Sequence, residues 1–278
     1  MTDAAVLLPR DVARWIAVPR PEDDKYSRGV LGVVTGSERY PGAAVLGVEA
    51  ALHTGVGMLR YLGGPRASAL VLQRRPEAVA VFGRVQAWLL GSGMGSVADR
   101  DPVDDERLGA ALDSGCPLVL DAGAIDLVGR TSAPRIITPH AGELAQLLGR
   151  GRREIEAAPF DSAREAAERY GATVLLKGST SIAVEPGGRA LQAQSAPAWL
   201  ATAGAGDALA GILGALVATH AAQVLAEPAV LVDLAAAAAV LHGLAAEAAS
   251  AGGPFTVLDL CVAVAPTIGR LLREHPAS

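Results

Sequence analysis

Short apolar runs spaced by longer alanine-rich stretches constrain the fold of this chain more than any other feature. Val30–Thr35, Val79–Phe82, Trp88–Leu90, Pro117–Leu120, Arg135–Ile137 and Thr173–Lys177 read as strands, and 42–55, 105–114, 142–148 and 161–170 read as helices between them. Strand and helix in alternation predict an α/β fold, a three-layer αβα sandwich around a mostly parallel central sheet. Ligands of such sheets sit beyond the carboxyl ends of the strands. Residues 181–200 break the rhythm, with Pro186-Gly187-Gly188 between Ser181–Val184 and Arg189–Ala193, which predicts a hairpin near the sheet edge. From 206 to 272 the chain reads as almost wholly helical. No linker, low-complexity tail or convincing repeat interrupts it, so residues 1–278 are expected to form one domain.

Hydrophobic residues make up 51% of the chain and aromatics only 4%, because alanine dominates, and alanine suits helices packed closely on a sheet. A net charge of −5 argues against a nucleic-acid surface, and Arg150, Arg152 and Arg153 read as a solvated helix edge. Cys116 and Cys261, far apart and outside any CxxC, read as buried reduced thiols, which fits a reducing cytoplasm. No secretory signal is visible at the N-terminus. The apolar segments 208–218 and 234–246, bounded or broken by Thr219, His220 and His242, fall short of a membrane span and read as buried helices, so no membrane partner is expected.

The chemistry concentrates in Thr202-Ala203-Gly204-Ala205-Gly206-Asp207-Ala208-Leu209-Ala210-Gly211, a loop of small residues running into an apolar helix. Small residues let backbone N–H groups close on an anion, and the helix adds its dipole and unpaired first-turn donors. Asp207 is repelled by such an anion, so a chemical role there is to take a proton from an attacking hydroxyl or to hold a metal ion; the plain alternative is a helix N-terminal preference.

Five further loops follow predicted strands. Thr35-Gly36-Ser37 with Tyr40-Pro41-Gly42-Ala43-Ala44 leaves room for a ligand, or is an ordinary tight turn. Gly91-Ser92-Gly93-Met94-Gly95 lacks the GxGxxG spacing of a dinucleotide loop. Asp121, in Leu120-Asp121-Ala122, is placed to hold magnesium through water or to cap a turn, the cap being the expectation if the loop stands alone. In Thr138-Pro139-His140-Ala141-Gly142-Glu143, Thr138 reads as an N-cap, Pro139 as the first helical residue and Glu143 as a complement to the dipole, which leaves His140 without a capping role and available to a ligand. Lys177-Gly178-Ser179-Thr180-Ser181 offers a cation, a pliable backbone and three hydroxyls, all useful to a phosphate.

In this order, these pieces resemble the ADP-dependent NAD(P)H-hydrate dehydratases of the ribokinase-like superfamily, from about Lys25 to about Leu272. The TPHxGE element separates that group from most sugar and vitamin kinases of the same fold. The resemblance implies ADP-dependent dehydration of the S-epimer of hydrated NADH or NADPH, with release of AMP and phosphate. It implies Asp207 as the catalytic base and Gly204, Ala205 and Gly206 as backbone donors around the transferred phosphoryl group. Lys177, Gly178, Ser179, Thr180, Ser181 and Gly206 would bind the nucleotide, while Ala43, Gly95, His140 and Asp207 would bind the hydrated cofactor. Magnesium bridging phosphate oxygens, a tetrameric homo-oligomer and a functional link to a separate epimerase are also implied, with metal ligands unassigned. Ala203, Ala205, Ala208 and Ser181 depart from the residues usual in that family, and none of these changes removes a charged participant. About 25 residues precede the match, so no N-terminal epimerase domain is expected. The alternative of the same fold is an ATP-dependent kinase of a small alcohol, a vitamin precursor or a sugar.

Overall fold

Strands buried on both faces show in sequence as continuous apolar runs rather than as an alternating pattern, and the central strands here are of that kind. The computed structural model describes residues 4–193 and 196–276. Its strands are β1 Ala5–Val6, β2 Val30–Val34, β3 Met58–Tyr61, β4 Ala87–Leu90, β5 Leu118–Leu120, β6 Arg135–Ile137, β7 Thr173–Leu176, β8 Ser181–Val184 and β9 Ala190–Ala193. They form a nine-stranded sheet in the order β1-β9-β8-β7-β6-β5-β4-β2-β3. Pairing is parallel from β3 through β7, and the β7–β8 and β8–β9 pairs are antiparallel. β2, β4, β5 and β7 are buried along their whole length.

Alternate strand residues feed two cores. Val33, Leu89, Val119 and Leu175 face helices Gly42–Thr54, Ala205–Thr219, Leu231–Ser250 and Val257–Glu274. Val34, Leu90, Leu120 and Leu176 face Pro102–Leu112, Ala141–Leu148 and Pro159–Tyr170. The expected three-layer sandwich is therefore the observed architecture, with β8 and β9 as the expected hairpin. β1 pairs parallel to β9 beyond it and forms the sheet edge.

Two expectations fail. Val79–Phe82 is not a strand: Val79 makes a single bridge to Arg60, and Phe82 is 63% exposed. Pairing stops there because the Arg60 side chain takes the carbonyls of Val81 and Arg84, and the edge position belongs to β3, whose Arg60 interrupts the apolar pattern. The helical segment Pro228–Ser250, with mean hydropathy 2.0 over its most apolar window, is also long and apolar enough to cross a membrane. That window is 94% buried inside the fold, where it serves as a core helix. Cys261 is buried, Cys116 is half-buried, and both thiols are free.

Gly42–Thr54 and Ala205–Thr219 cross so closely that a Cβ on Gly211 would collide with the Gly47 carbonyl, and the second helix lies so close to the sheet that one on Gly214 would press on the Leu31 methyls of β2. This contact holds the start of the Asp207 helix against the sheet. Gly211→Val is expected to lower unfolding free energy by about 3 kcal/mol through overpacking, read as a lower denaturation midpoint in urea.

Candidate active site

The parallel strands deliver their loops to one edge of the sheet. β2 runs into Gly36, β4 into Gly91–Gly95, β5 into Asp121, β6 into Thr138 and β7 into Lys177. Asp121 is the meeting point. Its buried carboxylate accepts from Ser92 Oγ at 2.8 Å, Thr138 Oγ1 at 2.7 Å and Lys177 Nζ at 2.8 Å, so four neighbouring strand ends converge on one side chain. Burial pulls the Asp121 pKa upward. The Lys177 ammonium and the three hydrogen bonds outweigh it and hold the carboxyl below its ordinary value. Burial likewise pulls Lys177 down, and the charges of Asp121, Glu143 and Asp207 reverse that and raise it. The capping expectation for Asp121 is corrected: its side chain makes no cap bond to the 3-10 segment that follows, because its oxygens are committed inward.

The expectation for Thr138-Pro139-His140 is corrected too. Thr138 does not cap a helix, and its hydroxyl turns to Asp121. The chain stays paired to the β7 end, with Lys177 N donating to the Pro139 carbonyl at 2.8 Å and a bridge between His140 and Lys177, so the helix cannot begin before Ala141. His140 is the N-cap. Its Nδ1 accepts from the N–H groups of Gly142 and Glu143 at 3.0 and 3.1 Å, and Glu143 Oε2 accepts from His140 N at 2.7 Å, a capping box with a histidine in the serine position. Once Nδ1 accepts, the neutral ring carries its proton on Nε2, and the exposed side chain presents a donor to solvent or ligand.

Gly204 precedes the helix Ala205–Thr219 at φ +92°, a left-handed conformation that glycine adopts without strain. The N–H groups of Gly206 and Asp207 have no backbone acceptor among the described residues, whereas Ala205 N donates weakly to the Thr202 carbonyl at 3.4 Å. A Cβ on Gly206 would stand 3.6 Å from Lys177 Nζ, so the ammonium lies beside this turn. Unpaired first-turn donors next to a cation form a receptacle for an anion. Asp207, half-buried in the same turn, has its pKa pushed up to about 6 by burial and by the negative charge of Asp121, against the pull of Lys177.

Gly178, Ser179 and Ser181 line a cavity of about 580 Å3 together with Lys177, Gly206 and Thr202. Thr180 instead faces a second space of about 510 Å3, shared with His140, Lys177 and Arg152. Ala43 packs on Gly93, whose loop is tied to the preceding one by Ser37 Oγ to Gly93 O at 2.8 Å and Gly36 N to Ser92 O at 2.7 Å. Gly95 has its carbonyl against Gly123, two residues after Asp121. Ala43, in the first turn of helix Gly42–Thr54, and Gly95, in the loop after β4, thus stand at the same sheet edge, although neither lines the two cavities above. Sequence reasoning missed Ser92 as an Asp121 partner, and the signal was present as a hydroxyl between two glycines in the loop after β4, the strand beside β5. It also missed His242, which lines the first cavity. No group of three His, Cys, Asp or Glu placed to hold a metal ion occurs among the described residues. This donor set fits a magnesium ion carried in on phosphate oxygens, not one caged by side chains.

Removing the Asp121 charge tests the electrostatics. Asp121→Asn strands the Lys177 ammonium and is expected to cost about 2 kcal/mol or more in chemical denaturation. It also removes a like charge, so the Asp207 pKa is expected to fall below about 6 when its carboxyl is followed by NMR titration.

The chain is matched over residues 31–261 by the family model described as NAD(P)H-hydrate dehydratase. It is 42% identical over 234 residues to the bifunctional NAD(P)H-hydrate repair enzyme Nnr of Mycobacterium tuberculosis, covering 78% of this chain and 47% of that protein. It is 33% identical over 218 residues to the ADP-dependent (S)-NAD(P)H-hydrate dehydratase of Xanthomonas campestris pv. campestris, covering 70% and 74%. The chain spans about half the length, or less, of the bifunctional relatives it matches. Its fold is similar to that of the ADP/ATP-dependent NAD(P)H-hydrate dehydratase from Bacillus subtilis co-crystallised with ATP/Mg2+, with a TM-score of 0.84, 23% identity and coverage of 98% of this chain and 100% of that one. A ribokinase-like superfamily protein from Enterococcus faecalis superposes with a TM-score of 0.82, at 21% identity and 96% coverage of each chain. The sheet order, the loop sequence around Asp121 and the match over 31–261 together place this chain in the NAD(P)H-hydrate dehydratase family, on a ribokinase-like fold.

Proposed function

We propose that this protein repairs hydrated NADH and NADPH, using ADP to dehydrate the S-epimer and releasing AMP and phosphate. The observation that carries the reading is Asp207: a half-buried carboxylate, its pKa pushed up to about 6, beside Lys177 and in the same helix turn as backbone donors that have no backbone acceptor among the described residues. The family match favours the dehydratase over the small-alcohol kinase, and the name of the X. campestris relative favours ADP as the phosphoryl donor.

The chemical obstacle is hydroxide, a poor leaving group at C6 of the ring. Asp207 takes the proton of the C6 hydroxyl as its oxygen attacks the β-phosphorus of ADP; the new O–P bond forms as the bond to AMP breaks. Backbone donors of Gly204 to Gly206, with the Lys177 ammonium, stabilise the negative charge on the transferring group. Phosphate then leaves this ester, taking the C6–O bond electrons. The lone pair of the ring nitrogen drives its departure, and loss of a proton from the adjacent carbon restores the double bond. Lys177, Gly178, Ser179, Thr180 and Ser181 hold the nucleotide, while Ala43, Gly95 and the Nε2–H of His140 contact the hydrated cofactor. Magnesium, where present, neutralises phosphate charge. An epimerase that interconverts the two hydrates is the metabolic partner of this reading, and a homo-tetramer in a reducing cytoplasm its setting.

The test is recovery of dihydronicotinamide absorbance from hydrated NADH with ADP, ATP or no nucleotide. Wild type is expected to restore it with ADP and release AMP in equal amount, and Asp207→Asn to lose roughly a thousandfold or more in kcat while still binding ADP. A folded wild type that binds ADP and restores no absorbance overturns the assignment. Because the base works only when ionised and its carboxyl titrates at about 6, activity is expected to rise with pH through that value and level off above it.

A further inference from the structure

The loop after β4 carries a second polar cluster that the proposed reaction does not use. Asp99 N donates to the Ser96 carbonyl at 2.9 Å, and this turn folds the chain back so far that a Cβ on Gly95 would stand 2.9 Å from the Asp99 Cβ. The next residue, Arg100, has a side chain only 1% exposed. Its Nη2 donates to both oxygens of Asp126, at 2.9 and 2.8 Å, and its Nη1 lies 3.2 Å from Asp105 Oδ1, an ion pair that lacks hydrogen-bond geometry. Asp126 Oδ2 also accepts from Val97 N at 3.1 Å. One carboxylate therefore holds both ends of the 97–100 turn.

Asp126 belongs to the 3-10 segment Ala122–Arg130, which starts directly after Asp121. The same segment meets the loop at a second point, Gly123, where a Cβ would collide with the carbonyls of Met94 and Gly95. Gly95 is thus fixed twice, by Gly123 against its carbonyl and by the turn that Arg100 and Asp126 hold against its Cα. A guanidinium keeps its charge in proteins and is costly to bury, and this one also leaves Nε without a hydrogen-bond partner among the described residues. An apolar side chain of similar length would fill the space at lower cost. It could not hold Asp126, and with it the turn, in one place.

On the reading that Gly95 contacts the hydrated cofactor, we propose that Arg100 is a positioning residue: with Asp126 it sets the Gly95 loop before the hydrated dinucleotide arrives, and so acts on the affinity for that substrate and not on the affinity for ADP. A loop already in its bound conformation spares the complex the entropy of ordering it. The nucleotide side is separate, because the two cavities along the 177–181 loop include no residue of 91–100.

The experiment titrates the whole protein calorimetrically with hydrated NADH and, separately, with ADP, and follows amide hydrogen exchange over residues 94–101 by mass spectrometry. Hydrated NADH is not consumed in its titration, since no phosphoryl donor is present. Arg100→Met is expected to bind hydrated NADH about tenfold more weakly, to keep the wild-type affinity for ADP, and to exchange faster over 94–101. Arg100→Lys, which keeps the charge, is expected to retain part of the affinity for hydrated NADH. Asp126→Asn keeps an acceptor for Val97 N and is expected to show the smaller loss, and in the double variant Arg100→Met/Asp126→Asn the two losses are expected not to add. If Arg100→Met does not fold, Arg100→Lys and Asp126→Asn carry the same contrast between the two ligands. Wild-type affinity for hydrated NADH and unchanged exchange in a folded variant overturn the proposal. An equal loss of ADP affinity overturns it as well, since that marks a general structural role. Wild type that binds no hydrated NADH overturns the reading on which the proposal rests, a result separate from any comparison of variants.

Discussion

The ion pair between Lys177 and Asp121 organises the carboxyl edge of the sheet. A carboxylate and an ammonium placed where water is largely excluded must satisfy one another, and this pair does so while recruiting Ser92 and Thr138. Because the four residues follow β4, β5, β6 and β7, the pair fixes the relative height of four loops. It also determines two features at the reacting centre. Lys177 is held beside the Gly206 turn, where in the proposed reaction it would meet an incoming phosphate, and a fixed negative charge lies near enough to Asp207 to oppose its ionisation.

That second effect links the fold to the chemistry. A solvent-exposed aspartate is too weak a base to help a hydroxyl attack phosphorus. Burial and the neighbouring Asp121 move Asp207 into the range where proton transfer near neutral pH is effective, and the Lys177 charge keeps the shift moderate. The same turn supplies backbone donors whose helix dipole favours a phosphate. In the proposed reaction, acid–base chemistry and anion binding would both come from one helix start, seated on the sheet by the close crossing at Gly47 and Gly211. Little further catalytic equipment is needed for elimination, since the electrons that expel phosphate belong to the substrate ring.

Much of this was legible in the sequence, for physical reasons. Buried parallel strands must be apolar throughout, and glycine and alanine must surround an anion bound by backbone, so the sandwich and the 204–207 turn both show directly. The failures share a different origin. Val79–Phe82 is as apolar as a strand, but whether it pairs depends on an arginine about twenty residues earlier in the chain that occupies its Val81 carbonyl. Thr138 looks like a cap until Asp121, which is distant in sequence, claims its hydroxyl, and His140 then caps the helix in its place. His242 sits in an alanine-rich core helix, and nothing local reveals that a cavity opens beside it. Elements set by local composition were readable, and side-chain roles set by long-range pairing were not.

The central claim is that the oxygen removed from the cofactor leaves as phosphate, after phosphorylation by the apparatus around Asp207. Hydrated NADH labelled with oxygen-18 at the C6 hydroxyl, turned over with ADP and followed by mass spectrometry of the products, tests this most directly. The account requires one labelled oxygen in each inorganic phosphate released. Label recovered in water, with unlabelled phosphate, would mean that dehydration and ADP cleavage are separate events and would contradict it.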